Sequence, residues 1–131
     1  MRLLLDTHIA LWSIADDPRL SVEARNLITE PANEILVSVA SLWEIAIKHA
    51  LSRLGRADMA LSAQQAHQYF REAGYRMLGI GAAHAIAVEA LPALHGDPFD
   101  RILVAQALTE PARLVTHDTK VAAYSDTIIA V

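Results

Sequence analysis

Asp97-Pro98-Phe99-Asp100-Arg101-Ile102-Leu103-Val104-Ala105-Gln106-Ala107 begins as a helix begins and continues as a buried one. Asp97 can cap, Pro98 has a pre-set φ and no amide hydrogen to leave unpaired, and Asp100 suits the positive helix end. From Ile102 to Leu108 the residues are almost wholly apolar, so this helix is expected to be covered on most sides. Two carboxylates at the mouth of a buried helix have two explanations. One is capping, and the other is a cation site.

Working outward, the 131 residues suit a single domain spanning 1–131, able to bury roughly two thirds of its unfolded surface. A hydrophobic content of 53%, carried mostly by Ala, Leu, Ile and Val, excludes a disordered chain and suits an α/β protein. Without cysteine, neither disulfides nor thiolate metal sites are possible, which is compatible with a reducing, cytoplasmic setting. Met1 to Leu5 is too short for a signal peptide, and Met77 to Leu94 is interrupted by His84, Glu89 and Pro92, so no membrane segment is expected. The net charge of −4 argues against gripping nucleic acid through a broad basic face. Phosphates met through bound divalent cations are still possible.

Leu3-Leu4-Leu5 reads as a short buried strand ended by Asp6, followed by a helix over Thr7 to Ala15. Ser21 caps a second helix to about Thr29, and Ile35-Leu36-Val37 forms the next strand. Helices follow from about Val39 to Leu51 and, after the capping box Ser62-Ala63-Gln64-Gln65, up to Gly74. Tyr75 to Leu78 is a third strand, and Ala82 to Leu91 a helix ended by Pro92. The helix of the opening stretch then leads to a strand over Arg113 to Thr116, a short helix over Asp118 to Tyr124 and a terminal strand over Thr127 to Val131. Short apolar strands alternating with helices imply right-handed crossovers and a mostly parallel sheet in a three-layer α/β/α arrangement.

In such sheets ligands bind outside the carboxyl ends of the strands. Asp6 follows the first strand directly, Asp118 follows the fourth by two residues, and Asp100 begins the helix that feeds the fourth. Glu44 lies about two turns into the helix after the second strand. One pocket could therefore receive four carboxylates from four parts of the chain. Plainer readings stand beside this: Asp6, Asp97 and Asp118 each precede a helix as caps, and Glu44 pairs in solvent with Lys48 four residues on. His8, His95 and His117 lie near acids, but no His pair has the spacing of a helical metal motif, so a histidine-ligated metal is not expected. Gly79-Ile80-Gly81 lacks the rest of a dinucleotide fingerprint.

Leu4-Leu5-Asp6-Thr7-His8, Ser41-Leu42-Trp43-Glu44-Ile45-Ala46-Ile47-Lys48, the opening stretch and Leu114-Val115-Thr116-His117-Asp118 together resemble the PIN-domain family, and within it the VapC-type toxins of prokaryotic toxin–antitoxin pairs. The resemblance spans essentially the whole chain in the family's motif order, and Asp-Pro-Phe-Asp-Arg is its most specific part. It implies a PIN-like fold with a parallel sheet of about five strands, and a metal-dependent endoribonuclease acting on RNA. It also implies a homodimer and a small antitoxin protein that blocks the site. Asp6, Glu44, Asp100 and Asp118 fall on the family's acidic positions as catalytic and metal-holding residues. Asp100 is favoured over Asp97 as the main ligand, with Asp97 as cap or outer partner and with Thr7 and Thr116 placed to hydrogen-bond the carboxylates or a water.

Two like charges about 4 Å apart repel by roughly 4 kcal/mol at an effective dielectric of about 20. Clustered carboxylates must therefore take up protons or bind a cation, and oxygen-only ligands favour Mg²⁺ or Mn²⁺. The expected reaction is hydrolysis of the phosphodiester backbone by an activated water. Arg101, Lys48 and Lys120 are candidates to steer phosphates or, equally, plain surface charges. The alternatives are a catalytically silent PIN-like interaction module and a phospho-acceptor or haloacid-type phosphatase. Asp6-Thr7-His8 lacks the second Asp that the phosphatase requires.

Overall fold

The computed structural model describes residues 1–131. Its elements in chain order are β1 (Arg2–Leu5), α1 (Thr7–Ala15), α2 (Val22–Thr29), β2 (Glu34–Ser38), α3 (Val39–Ser52) and α4 (Ala63–Glu72). There follow β3 (Arg76–Leu78), α5 (Ala82–Ala87), α6 (Pro98–Thr109), β4 (Arg113–Thr116), α7 (Thr119–Ala122) and β5 (Ile129–Ala130). The five strands form one sheet in the order β3-β2-β1-β4-β5, with every neighbouring pair parallel. No helix is long and apolar enough to cross a membrane.

β1 lies at the centre, which is why Leu3, Leu4 and Leu5 form an uninterrupted apolar run: each is fully buried. Successive residues point to opposite faces. Leu3 and Leu5 join Ile9, Ala24, Ile45 and Phe70 in one core, whereas Leu4 joins Leu36, Leu103, Val104 and Leu114 in the other. α1, α2 and α4 thus cover one face and α6 and α7 the other. α3 supplies Ile45 to the first core and Ala40 to the second.

Local signals set most boundaries. Ser62 and Gln65 form the reciprocal capping box, and Gly74, at φ 83°, closes α4 in the left-handed region. Other ends differ from expectation, two of them for identifiable reasons. The helix expected up to Leu91 stops at Ala87 and tightens into a 3₁₀ turn over Val88–Ala90, because Leu91 must be extended (φ −71°, ψ 137°) before Pro92. The terminal strand pairs only at Ile129 and Ala130, since Thr127 is held in a turn by the Ser125 hydroxyl.

Candidate active site

β1 sits where the chain's progress across the sheet reverses: β2 and β3 lie on one side, β4 and β5 on the other. A crevice opens at the carboxyl end of such a strand. The register pairing Leu5 with Val37 and with Val115 brings Asp6, just beyond β1, level with Ser38 and Thr116. Asp6, Glu44, Asp97, Asp100 and Asp118 all line one polar cavity of about 190 Å³. Thr7, His8, Lys48 and His95 complete its wall, and no hydrophobic side chain contributes.

The capping reading and the clustering reading both hold, because a carboxylate has two oxygens. Asp6 accepts the Ile9 amide on Oδ1 at 2.8 Å and the Thr116 hydroxyl on Oδ2 at 2.5 Å. Asp97 caps α6 through Oδ1, accepting from Phe99 N at 2.8 Å. Asp118 caps α7 through Oδ1, accepting from Lys120 N at 2.8 Å, while its own amide donates to Thr116 Oγ1 at 3.0 Å. Thr116 therefore links the two acids, with its hydroxyl accepting from one and donating to the other. Asp100 Oδ2 lies 2.8 Å from His95 Nε2, and Asp118 Oδ2 lies 3.8 Å from the same nitrogen.

Several expectations are corrected. The Glu44–Lys48 pair forms at 2.7 Å, but Glu44 is only 5% exposed rather than solvated. Its other oxygen, Oε1, is buried without a hydrogen bond. Thr7 does not serve a carboxylate; its hydroxyl donates to Ser41 Oγ at 2.9 Å and ties the start of α1 to α3. Arg101 cannot steer phosphate, since both terminal nitrogens are engaged by the carbonyls of Val88, Leu91, Pro92 and His95 and by the Tyr124 hydroxyl. His95, set aside on spacing, is the neighbour that spacing could not find. It offers a nitrogen that lies with carboxylate oxygens of Asp97 and Asp100 within 4.8 Å of one another. The one sequence signal was a histidine two residues ahead of a capping Asp.

Five carboxylates face one lysine ammonium in this cavity. Burial pushes the Asp6 carboxyl above its ordinary 3.8, against the opposing hydrogen bonds from Thr116 and Ile9. Asp100 is also raised, by burial first and then by the negative charges of Asp97 and Asp6, with the His95 bond opposing. An oxygen-rich donor set and an orphaned buried oxygen on Glu44 suit a hard divalent cation. A folded-state carboxyl pKa above the unfolded one contributes stability that is full below the unfolded value of 3.8 and is lost as pH rises through the folded value. In chelator, Asp6→Asn is therefore expected to lessen the fall in melting temperature between about pH 4 and a pH above the raised folded value. Its amide oxygen can keep the Ile9 cap and its NH₂ can donate to Thr116. Thermal melts of both proteins at the two pH values check this; an unchanged fall would remove the buried charge as its cause.

The PIN domain family model matches residues 3–126. A Mycobacterium tuberculosis protein, Ribonuclease VapC22, is 37% identical over 120 residues, which is 90% of this chain and 88% of that protein. The structure of VapBC2 from Rickettsia felis, bound to a DNA fragment from its promoter, matches with a TM-score of 0.66 at 20% identity, over 100% of this chain and 98% of that one. A toxin–antitoxin complex from Klebsiella pneumoniae matches with a TM-score of 0.66 at 19% identity, over 98% of this chain and 96% of that one. At these identities the structural matches speak for the fold, and the family model and the curated relative speak for descent. A central parallel sheet, acids at its carboxyl edge and a family match over nearly all of its length agree: this chain belongs to the PIN domain family.

Proposed function

We propose that this protein is a metal-dependent endoribonuclease, the toxin component of a toxin–antitoxin pair. Asp6, Glu44, Asp100 and Asp118 are its catalytic acids, Mg²⁺ or Mn²⁺ is its cation, and the cytoplasm is its setting. The observation that carries this is the meeting of acids from β1, α3, α6 and the end of β4 in one polar cavity, where Glu44 Oε1 is buried without a partner. The ribonuclease name of the relative that is 37% identical supports RNA as substrate.

Asp6, Asp100, Glu44 and Asp118 would hold the ion, with Asp97 and Thr116 outside them. When bound, a divalent cation supplies positive charge against the phosphate and acidifies a water for attack. The chain's own groups prepare that position. Thr116 orients Asp6, Lys48 holds Glu44 through one oxygen and leaves the other without a partner, and His95 holds Asp100. Burial of these groups shields their charges from bulk water and so strengthens their pull on any cation.

The complexes formed by the structural relatives support a cognate antitoxin as partner. An apolar groove outside the acidic cavity, between Trp43, Ile80, Val88, Phe99 and Ile102, supports association with a second copy or with that antitoxin. Trp43 is 60% exposed there, whereas Trp12 and Leu42 pack against the core. Purified protein with end-labelled RNA should yield discrete fragments in Mg²⁺ or Mn²⁺ and none in excess chelator, with an equivalent DNA strand cut more weakly. Cleavage that survives chelation overturns the cation's role, and no cleavage under any condition favours a silent binding module.

A further inference from the structure

We propose that His95 is a positioning residue of this site, whose Nε2–H holds one oxygen of Asp100 and so presents the other to a divalent cation. The inference rests on the metal-dependent reading above and goes beyond it. No regular element carries His95, yet it is fixed from three sides. Its amide donates to the Tyr124 hydroxyl at 3.0 Å, and its carbonyl accepts from that hydroxyl at 3.3 Å and from Arg101 Nη1 at 3.4 Å. Arg101 also gathers the carbonyls of Val88, Leu91 and Pro92, which lashes the segment before α6 onto α6 itself. This explains why Arg101 sits one residue after Asp100: the same turn of helix that carries the acid carries the anchor for the acid's partner.

The imidazole then spans two acids from different elements, 2.8 Å from Asp100 Oδ2 and 3.8 Å from Asp118 Oδ2. An ionised carboxylate only accepts, so the nitrogen facing Asp100 carries hydrogen and is not free to ligate. Asp100 Oδ1 stays available. Glu44, on another helix, lines the same cavity, and its Oε1, buried without a hydrogen bond, is an independent sign of an anionic oxygen still in need of a positive partner. Outer partners of this kind set the orientation of a metal's ligands, and their loss typically costs about 10- to 100-fold in metal affinity.

The test is a Mn²⁺ titration of the full chain by electron paramagnetic resonance, with pulsed spectra for nitrogen coupling. Thermal melts in chelator should show that each variant is folded. His95→Ala is expected to weaken Mn²⁺ binding by about 10- to 100-fold. His95→Gln, which keeps an N–H donor, should recover most of the loss. Tyr124→Phe, which removes two of the three hydrogen bonds on the His95 backbone but leaves its ring and the Arg101 bond, should fall between them and serves if His95→Ala does not fold. Wild-type affinity in His95→Ala, with Asp100→Asn still losing Mn²⁺, overturns the proposal and leaves the metal site standing. An imidazole nitrogen coupling that vanishes in His95→Ala also overturns it, by making His95 a ligand. Wild-type protein that binds no Mn²⁺ removes the metal-dependent reading, and the proposal with it.

Discussion

Asp6→Asn and Asp100→Asn should each lower metal-dependent RNA cleavage by at least about a hundredfold, the upper end of what losing an outer metal partner costs. Both acids lie in the same polar cavity, where burial first, and then the charges of Asp97 and Asp6, push the Asp100 carboxyl up. Each substitution removes one negative charge while keeping shape and an acceptor oxygen. The fold should not suffer. Neutralising a buried charge relieves the desolvation that pushes both carboxyls up, so the melting temperature in chelator should hold or rise. Added Mn²⁺ should raise the melting temperature of the wild type more than that of either variant, as expected of a ligand that binds only the folded state. Loss of activity with a lowered melting temperature in chelator would instead make these acids supports of the fold. Full cleavage by both variants would end the assignment of these acids.

The second large effect is on stability. Phe70 on α4 is fully buried, stacks on Tyr75 with ring centroids 6.1 Å apart, and shares a core with Leu3, Leu5, Ile9 and Ile45. Phe70→Ala should cost about 3–5 kcal/mol, lost transfer energy plus an incompletely collapsed cavity. That is a large share of the roughly 5–15 kcal/mol that stabilises a typical domain. Urea unfolding of wild type and variant measures it, and Phe70→Leu should lose much less. A cost under about 1 kcal/mol would mean that α4 does not pack on the sheet as described. Phe70 is absent from the acidic cavity, so at low temperature whatever folded Phe70→Ala protein persists should cleave RNA normally.

What sequence alone shows about the acids has a definite reach. Asp6, Asp97 and Asp118 are legible as caps because a cap bonds amides two or three residues away, and all three do so. The same residues looked ambiguous because capping occupies one oxygen and says nothing of the other. Glu44 was less legible. Its spacing to Lys48 is that of an exposed helical pair, and only the packing of α3 against the sheet turns that pair inward. Arg101 misled for a related reason. A cation beside an acidic motif suggests phosphate, but its donors go mainly to carbonyls of a segment six to thirteen residues earlier, whose path no periodicity describes.

The sequence by itself determined the helices, the buried strands and their parallel arrangement, since capping, proline geometry and apolar periodicity act within a few residues. Only the tertiary structure decided which carboxylates share a cavity, that Thr116 bonds Asp6 across 110 positions, and that His95 stands between Asp100 and Asp118. Those contacts depend on strand order and register, which are settled when two faces of one sheet are buried together rather than by any neighbouring residues.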